Sequence, residues 1–343
     1  MTNLDRYLDA ATRENTRRSY AGAARHFEVD WGGHLPATAD SIAHYLADYA
    51  EKLALNTLRH RLAALAQWHH DHGFADPTRA PLVRKVFKGI AALHPRVDKR
   101  ATPLQITQLT QVSDRLDATI ASSFALGANA EHLQALRDRA MVLLGFWRGF
   151  RTDELMRLQV EHIQIVAGEG MLCFLPHTKG DRQNQGTTFK VPALSRLCPV
   201  TAYGEWIAAA ELSAGPVFRA VNQWGQVNDV CLHPNSFIRL LRRVFEQADL
   251  PSPNGYSGHS LRRGFAGWAS DNGWDVKALM EYVGWKDVHS AMRYIDSGDP
   301  FAKHRIEDSL RGAARASHAL SKTKPNSQIM ATIEAKISST VRP

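Results

Sequence analysis

Apolar positions recur every three or four residues from Thr12 to about Ala92, the period of helices that bury one face. The stretch "TRENTRRSYAGAARHFEVDW" opens on Thr12, a capping residue type, and alternates basic and apolar faces. "TADSIAHYLADYAEKL" starts a second helix at Thr38 or Asp40. A third, "NTLRHRLAALAQWHHDHG", is capped by Asn56 and stopped by Gly73, with Leu58, Leu62, Leu65 and Trp68 in one stripe. "APLVRKVFKGIAAL" gives a fourth. The pattern breaks at "HPRVDKRATP", residues 94–103, where prolines flank basic residues and apolar content falls away. That composition reads as a linker between domains.

Beyond the linker the periods are mixed. "RDRAMVLLGFWRGF" is a strongly apolar helix and "RTDELMRL" starts another. Short β-like runs follow, "IQIV", "MLCFLP" and "TTFKVP", separated by the turn-rich "AGEG" and "HTKGDRQNQG". Helical patterns then resume in "PVTAYGEWIAAAEL", "NSFIRLLRRVFEQADL", "HSLRRGFAGWASDNG", "DVKALMEYVG", "VHSAMRYID" and "FAKHRIEDSLRGAARA". The expected fold is mainly α with a small antiparallel sheet, an α+β pattern. The expected organisation is a helical domain over residues 1–93, the linker, a second domain over 104–320 and a tail over 321–343. In that tail "SKTKPNSQ" connects to a short helix, "IMATIEAKIS".

A chain of 343 residues exceeds what one core usually serves, which agrees with two domains. Hydrophobic residues make up 44% and charged residues 22%, the balance of a folded soluble protein. Lys and Arg total 42 against 34 Asp and Glu, a net charge of +8 that favours a polyanionic partner, nucleic acid first. Cys173, Cys198 and Cys231 are too few and too scattered for a disulfide framework or a Cys-x-x-Cys metal site, and they fit a reducing compartment. The opening "MTNLDRYLDAATRENTRRSY" holds no apolar run long enough for a signal peptide or a membrane span. A cytoplasmic protein with no membrane partner is expected.

Two basic clusters mark the helical half. Arg59 and Arg61 lie near the start of the third helix, and Arg84, Lys85 and Lys88 lie together on the fourth. Either cluster alone is an ordinary solvated face. Together, on a basic chain, they point to a surface that meets DNA phosphates.

The second half carries the chemistry. Arg151 precedes Glu154 by three residues, so the two can pair on a helix. Lys179 sits between two β-like runs. His259 and Arg262 are again three apart, Trp285 follows Gly284, and Tyr294 lies on a short helix beyond. Each alone has a plain reading as an ion pair, a hairpin-tip lysine or a core aromatic. In order, "RTDEL", "HTKGD", "GHSLRRGFA", "VGWKD" and "MRYID" resemble the catalytic domain of the tyrosine recombinases and phage-type integrases. Trp285, where many members carry a second histidine, is similar to the Cre-like members. The helical half resembles the core-binding domain of the same family, and the resemblance spans roughly residues 10–315.

The resemblance implies a site-specific DNA recombinase that works through a 3′-phosphotyrosyl intermediate at Tyr294. It implies that Arg151 and Arg262 bind the scissile phosphate, that Lys179 is the general acid and that His259 is a general acid/base. Trp285 would donate its indole N–H to a phosphate oxygen, and Glu154 would orient Arg151 or His259. The chemistry suits these residue types. A phenol of pKa ~10 needs help to attack at neutral pH, and two planar, permanently charged guanidinium groups suit a phosphate of growing charge. Implied partners are double-stranded recombination sites, three further copies in a homotetramer, and accessory proteins, in a bacterial or phage setting near the nucleoid. No metal and no cofactor is implied. A type IB topoisomerase-like relaxing enzyme would use the same chemistry, and a catalytically silent DNA-binding regulator would share the fold. Arg263 points about 100° away from Arg262 on an ideal helix and is expected as a phosphate contact or a surface ion pair. Gly264, Ala266 and Gly267 are expected to allow close helix packing.

Overall fold

The computed structural model describes residues 14–95, 100–178, 181, 185–292 and 294, together with Asn3, Arg6, Tyr7, Ala11 and Thr12. The chain divides into two compact units, Met1–Arg100 and Ala101–Pro343. Thr102, assigned to the linker by sequence, donates its N–H to the Gly255 carbonyl at 3.1 Å and so belongs to the second unit. The helix expected from "FAKHRIEDSLRGAARA" and the tail over 321–343 lie outside the described residues.

In the first unit α1 (Glu14–Arg25) runs into a π-helical turn, His26–Asp30. It is followed by α2 (Ala39–Asp48), α3 (Leu55–Asp71) and α4 (Pro81–Leu93). Thr38 caps α2, its side chain accepting from the Ser41 N–H at 3.1 Å. Asn56 does not cap α3. The helix starts one residue earlier, at Leu55, and the Asn56 side chain instead accepts from Arg59 Nη1 at 2.6 Å. Leu58 and Leu65 are fully buried with Phe27, Ile42, Tyr45, Leu46 and Val83, each such burial being worth about 1.5–3 kcal/mol. Trp68, at the end of the expected stripe, stacks on His72 with centroids 4.0 Å apart. His69 is tolerated in the interior because both ring nitrogens are paired. Its Nδ1–H donates to the Leu65 carbonyl at 2.7 Å, and Nε2 accepts from the Ala37 N–H at 2.9 Å.

The second unit is built around α6 (Asn129–Trp147), which is buried on all sides over its last two turns. α5 (Ile106–Ala125) packs along it. The sequence reading names no element there, although Leu109, Val112 and Leu116 bury a helical stripe. The short α7 (Thr152–Met156) precedes a three-stranded antiparallel sheet of β1 (Ile163–Val166), β2 (Gly170–Leu175) and β3 (Thr187–Pro192), in that order. After α8 (Pro199–Ala209) comes a hairpin the sequence reading also passes over, β4 (Arg219–Val221) with β5 (Val227–Cys231). Four helices complete the described residues: α9 (Pro234–Gln247), α10 (Gly258–Asp271), α11 (Val276–Val283) and α12 (Val288–Met292).

α10 threads the interior against α5, α6, α9 and α11. Two glycines let it do so. A Cβ on Gly264 would lie 2.0 Å from the Leu104 carbonyl oxygen, and one on Gly258 would lie 1.9 Å from Thr152 Oγ1. Gly267, expected to serve the same packing, has nothing within 4 Å of its Cβ position, because its side of α10 has turned away from the neighbours.

Candidate active site

The end of α6 sets up the first wall. Gly149, at φ +60, takes the left-handed conformation that closes the helix and turns the chain into α7. Arg151 stands at the N-terminus of α7, and Glu154 reaches back to accept its backbone N–H at 2.9 Å. The other carboxylate oxygen of Glu154 accepts from Arg151 Nη1. Glu154 is buried, whereas the Arg151 side chain keeps 27% of its exposure. A guanidinium with one side on a buried carboxylate and the other open to solvent is placed to receive an anion.

α10 forms the second wall. Ser257 caps it, accepting from the His259 N–H at 3.3 Å, while Ser260 Oγ accepts from the Ser257 N–H at 2.9 Å. His259 is therefore held in the first turn with its side chain exposed. One turn on, Arg262 is only 1% exposed. It donates from Nη1 to the Gly149 carbonyl and from Nη2 to the Val283 carbonyl at 3.4 Å, and Nη1 lies 3.9 Å from Glu154. Burial, and then the nearby Arg151 charge, push its pKa down to about 9, still leaving it protonated at neutral pH. Its Nε is buried with no hydrogen-bond partner.

The third wall is aromatic. α11 ends in Gly284, at φ +74, and Trp285 folds back to donate its N–H to the Met280 carbonyl at 2.9 Å. Trp285 is buried, with its ring centroid 5.0 Å from the Arg262 guanidinium carbon. Tyr294, half-buried after α12, lies over both, its ring 5.2 Å from Trp285 and 5.8 Å from the same guanidinium carbon. The His259 ring lies nearly parallel to it at 6.4 Å and 16°.

Arg151, Glu154, His259, Arg262, Trp285 and Tyr294 thus meet in one place, from segments up to 143 residues apart. Lys179, in the connection from β2 to β3, lies outside the described residues. Arg263 is not the surface residue its sequence position suggested. It is 7% exposed, because α10 is covered on every side from Ser260 to Ala266. The sequence reading missed Arg148, which is buried between the rings of Phe189, at 4.7 Å, and Tyr282, at 4.3 Å. Its only sequence signal is a charge in the otherwise apolar "GFWRGF".

In the first unit the basic residues separate into two kinds. Arg84, Lys85 and Lys88 are exposed on α4, and Arg59 is exposed with its guanidinium carbon 5.5 Å from the Phe87 ring. Arg61 is half-buried and donates from Nη1 to the exposed Gly22 carbonyl at 3.1 Å. Among the described residues no group of His, Cys, Asp and Glu could hold a metal ion, and no helix is long and apolar enough to cross a membrane.

Comparison with known proteins places the chain among relatives of one family. A sequence model of the phage integrase family matches residues 116–299. The chain is 28% identical over 311 residues to an integrase/recombinase xerD homolog of Selenomonas ruminantium, covering 88% of this chain and 87% of that protein. It is 25% identical over 301 residues to the recombinase cre of Escherichia phage P1, covering 82% of each. The fold is similar to the XerH site-specific recombinase bound to a palindromic difH substrate in a post-cleavage complex. The TM-score is 0.58 at 17% identity, over 85% of this chain and 78% of that one. It is also similar to the Tn1549 transposon integrase in complex with transposon right end DNA, with a TM-score of 0.57 at 16% identity, over 88% of this chain and 95% of that one.

Proposed function

The chain belongs to the phage integrase family, and from that premise we propose that it recombines DNA at specific sites by breaking and rejoining strands through Tyr294. The observation that carries this reading is the meeting of His259, Trp285 and Arg262 around one half-buried tyrosine. No packing requirement calls for a histidine, an arginine and a tryptophan to surround a phenol at the surface.

The phenolic oxygen of Tyr294 attacks the scissile phosphorus as His259 takes up its proton. The bond from phosphorus to the 5′-oxygen breaks, and the leaving oxygen takes a proton from Lys179, giving a 3′-phosphotyrosyl link and a 5′-hydroxyl. Attack by a 5′-hydroxyl on that link reverses the sequence and releases the tyrosine. Arg151, the more open guanidinium, contacts the non-bridging oxygens. Arg262 reaches them with the N–H groups not already given to the Gly149 and Val283 carbonyls. Glu154 holds Arg151 in place. Because the covalent link conserves the phosphodiester bond energy, no nucleotide enters the scheme, and the two guanidinium groups supply the positive charge that a metal ion would otherwise bring. The partners are two DNA duplexes and three further copies of the chain, with accessory proteins setting the outcome.

The test is covalent trapping on a nicked duplex whose cleaved fragment diffuses away. Tyr294→Phe should bind this DNA as the native protein does and trap none. Trapping by that variant would remove Tyr294 from its role. Lys179→Ala should cleave slowly, and a 5′-bridging phosphorothiolate, whose sulfur leaves without a proton, should restore its rate. Failure of that rescue would assign the acid elsewhere.

A further inference from the structure

Arg148 is 5% exposed, pairs with no carboxylate among the described residues, and has both Nε and Nη1 buried without a hydrogen-bond partner. What it touches is aromatic: Phe189 of β3 and Tyr282 of α11. Tyr282 in turn donates its hydroxyl to the Trp147 carbonyl at 2.9 Å. A guanidinium sealed between two rings, with donors left over, is costly in a free protein, and a hydrocarbon side chain would fill the space at lower cost. Packing alone therefore gives no reason for an arginine here. The location does. The next residue, Gly149, offers its carbonyl to Arg262, and α11 runs on from Tyr282 to Val283, whose carbonyl Arg262 also meets. The Arg148 charge is felt at Arg262, and the Glu154 carboxylate is felt at Arg148. With Arg148, Arg151 and Arg262 together, three positive charges share the single carboxylate of Glu154.

We propose that Arg148 is a third guanidinium of this site, a positioning residue that does not touch DNA but whose unneutralised charge, behind Arg262, prepares the field that receives the scissile phosphate. The excess of positive charge is unfavourable until an anion arrives, and the arriving phosphate relieves it. Charge placed ahead of the reaction needs no rearrangement as the pentacoordinate phosphate develops. The inference rests on the phosphotyrosyl reading above.

The test compares trapping rates on two nicked duplexes, one with an ordinary scissile phosphodiester and one with a neutral methylphosphonate there. Arg148→Met should cleave the phosphodiester about ten-fold more slowly than the native protein, a smaller effect than removing a donor that touches the phosphate. On the methylphosphonate the two should differ by no more than about two-fold, because the charge that Arg148 serves is gone. Arg148→Lys, which keeps the charge and gives up the planar stack, should stay near native on both. The melting temperature of Arg148→Met should equal or exceed the native value. Should that variant fail to fold, Arg148→Gln carries the same comparison.

Equal slowing on both substrates would make Arg148 a packing residue and overturn the proposal, as would no slowing on either. Arg262→Ala serves as the control. If it discriminates between the substrates and Arg148→Met does not, this inference fails alone. If Arg262→Ala does not discriminate, or the native protein traps no DNA, the parent reading fails and this one with it.

Discussion

Two glycines one turn apart on α10, Gly264 and Gly267, should respond to alanine in opposite directions. At Gly264 the added methyl would sit 2.0 Å from the Leu104 carbonyl oxygen and 2.9 Å from Phe146 Cε2. The first obstacle is backbone, pinned by the Leu104 N–H bond to the Ser260 carbonyl at 3.0 Å, so no rotamer change relieves it. Overpacking of this kind costs up to about 3 kcal/mol, against which alanine recovers about 1 kcal/mol of helix propensity. The net loss is about 2 kcal/mol. At Gly267 there is nothing within 4 Å, and the same propensity gain stands alone, about 1 kcal/mol. Urea denaturation of the full chain, followed by tryptophan fluorescence, separates these. With a slope of about 2 kcal/mol per molar, Gly264→Ala should lower the midpoint of the second unit by about 1 M and Gly267→Ala should raise it by about 0.5 M. DNA cleavage should fall with Gly264→Ala, because the helix that must shift carries His259 and Arg262. If Gly264→Ala melts at or above the native midpoint, or Gly267→Ala falls with it, α10 does not lie against Leu104 as described.

Other consequences follow from the charges. Glu154→Gln keeps the shape of the side chain but leaves Arg151 and Arg262 without their carboxylate, and should destabilise the free protein by about 3 kcal/mol in thermal melts. Duplex DNA should return part of that loss. Replacing Arg84, Lys85 and Lys88 with glutamine should leave stability unchanged and flatten the salt dependence of DNA affinity, by about 0.9 in the log–log slope for each phosphate no longer neutralised. Arg61→Met, which also removes the bond to the Gly22 carbonyl, should weaken the first unit as well as flatten that slope. The cysteines should differ in reactivity. Burial raises the Cys198 thiol, but N–H groups of Leu194 and Thr201 outweigh it and hold the pKa below the ordinary value. Its alkylation rate, tracking the thiolate, should therefore level off at a lower pH than that of a free cysteine. Burial pushes Cys173 up to about 12, so it should react only after unfolding.

Residues whose role is fixed by local order were readable in the sequence. The spacing of Arg151 to Glu154 and of His259 to Arg262 is set by single helical turns, and the Thr38 cap acts over three residues. Most helices with a clean apolar stripe were equally plain, although α5, with Leu109, Val112 and Leu116 on its buried face, was passed over. The hairpin of β4 and β5 was not plain, because "RAVNQWGQVNDVC" alternates weakly and three successive residues of β5, Asn228, Asp229 and Val230, are all exposed. Arg263 was misplaced because angular position on an isolated helix assumes one solvent face, and α10 has none between Ser260 and Ala266. Arg148 was invisible for a related reason. Its environment is two rings contributed by residues 41 and 134 positions away, which no local spacing records.

The same burial changes what net charge means here. A formal excess of +8 suggests a broad basic surface. Among the described residues, however, Arg137, Arg148, Arg219, Arg262 and Arg263 are buried, against only Asp138 and Glu154 on the acidic side. The described residues therefore bury an excess of three positive charges, five against two, and Arg148, Arg262 and Arg263 all belong to the end of α6 and the middle of α10. A surface cation attracts DNA from a distance and is screened by salt over roughly 8–10 Å. A buried cation contributes little to that attraction, but it acts at low dielectric on whatever anion reaches it. Composition therefore overstates the charge available for holding DNA and understates the charge available for acting on one phosphate. The two should separate by experiment: with α4 as the DNA-facing surface, salt should weaken binding far more than it slows cleavage of DNA already bound.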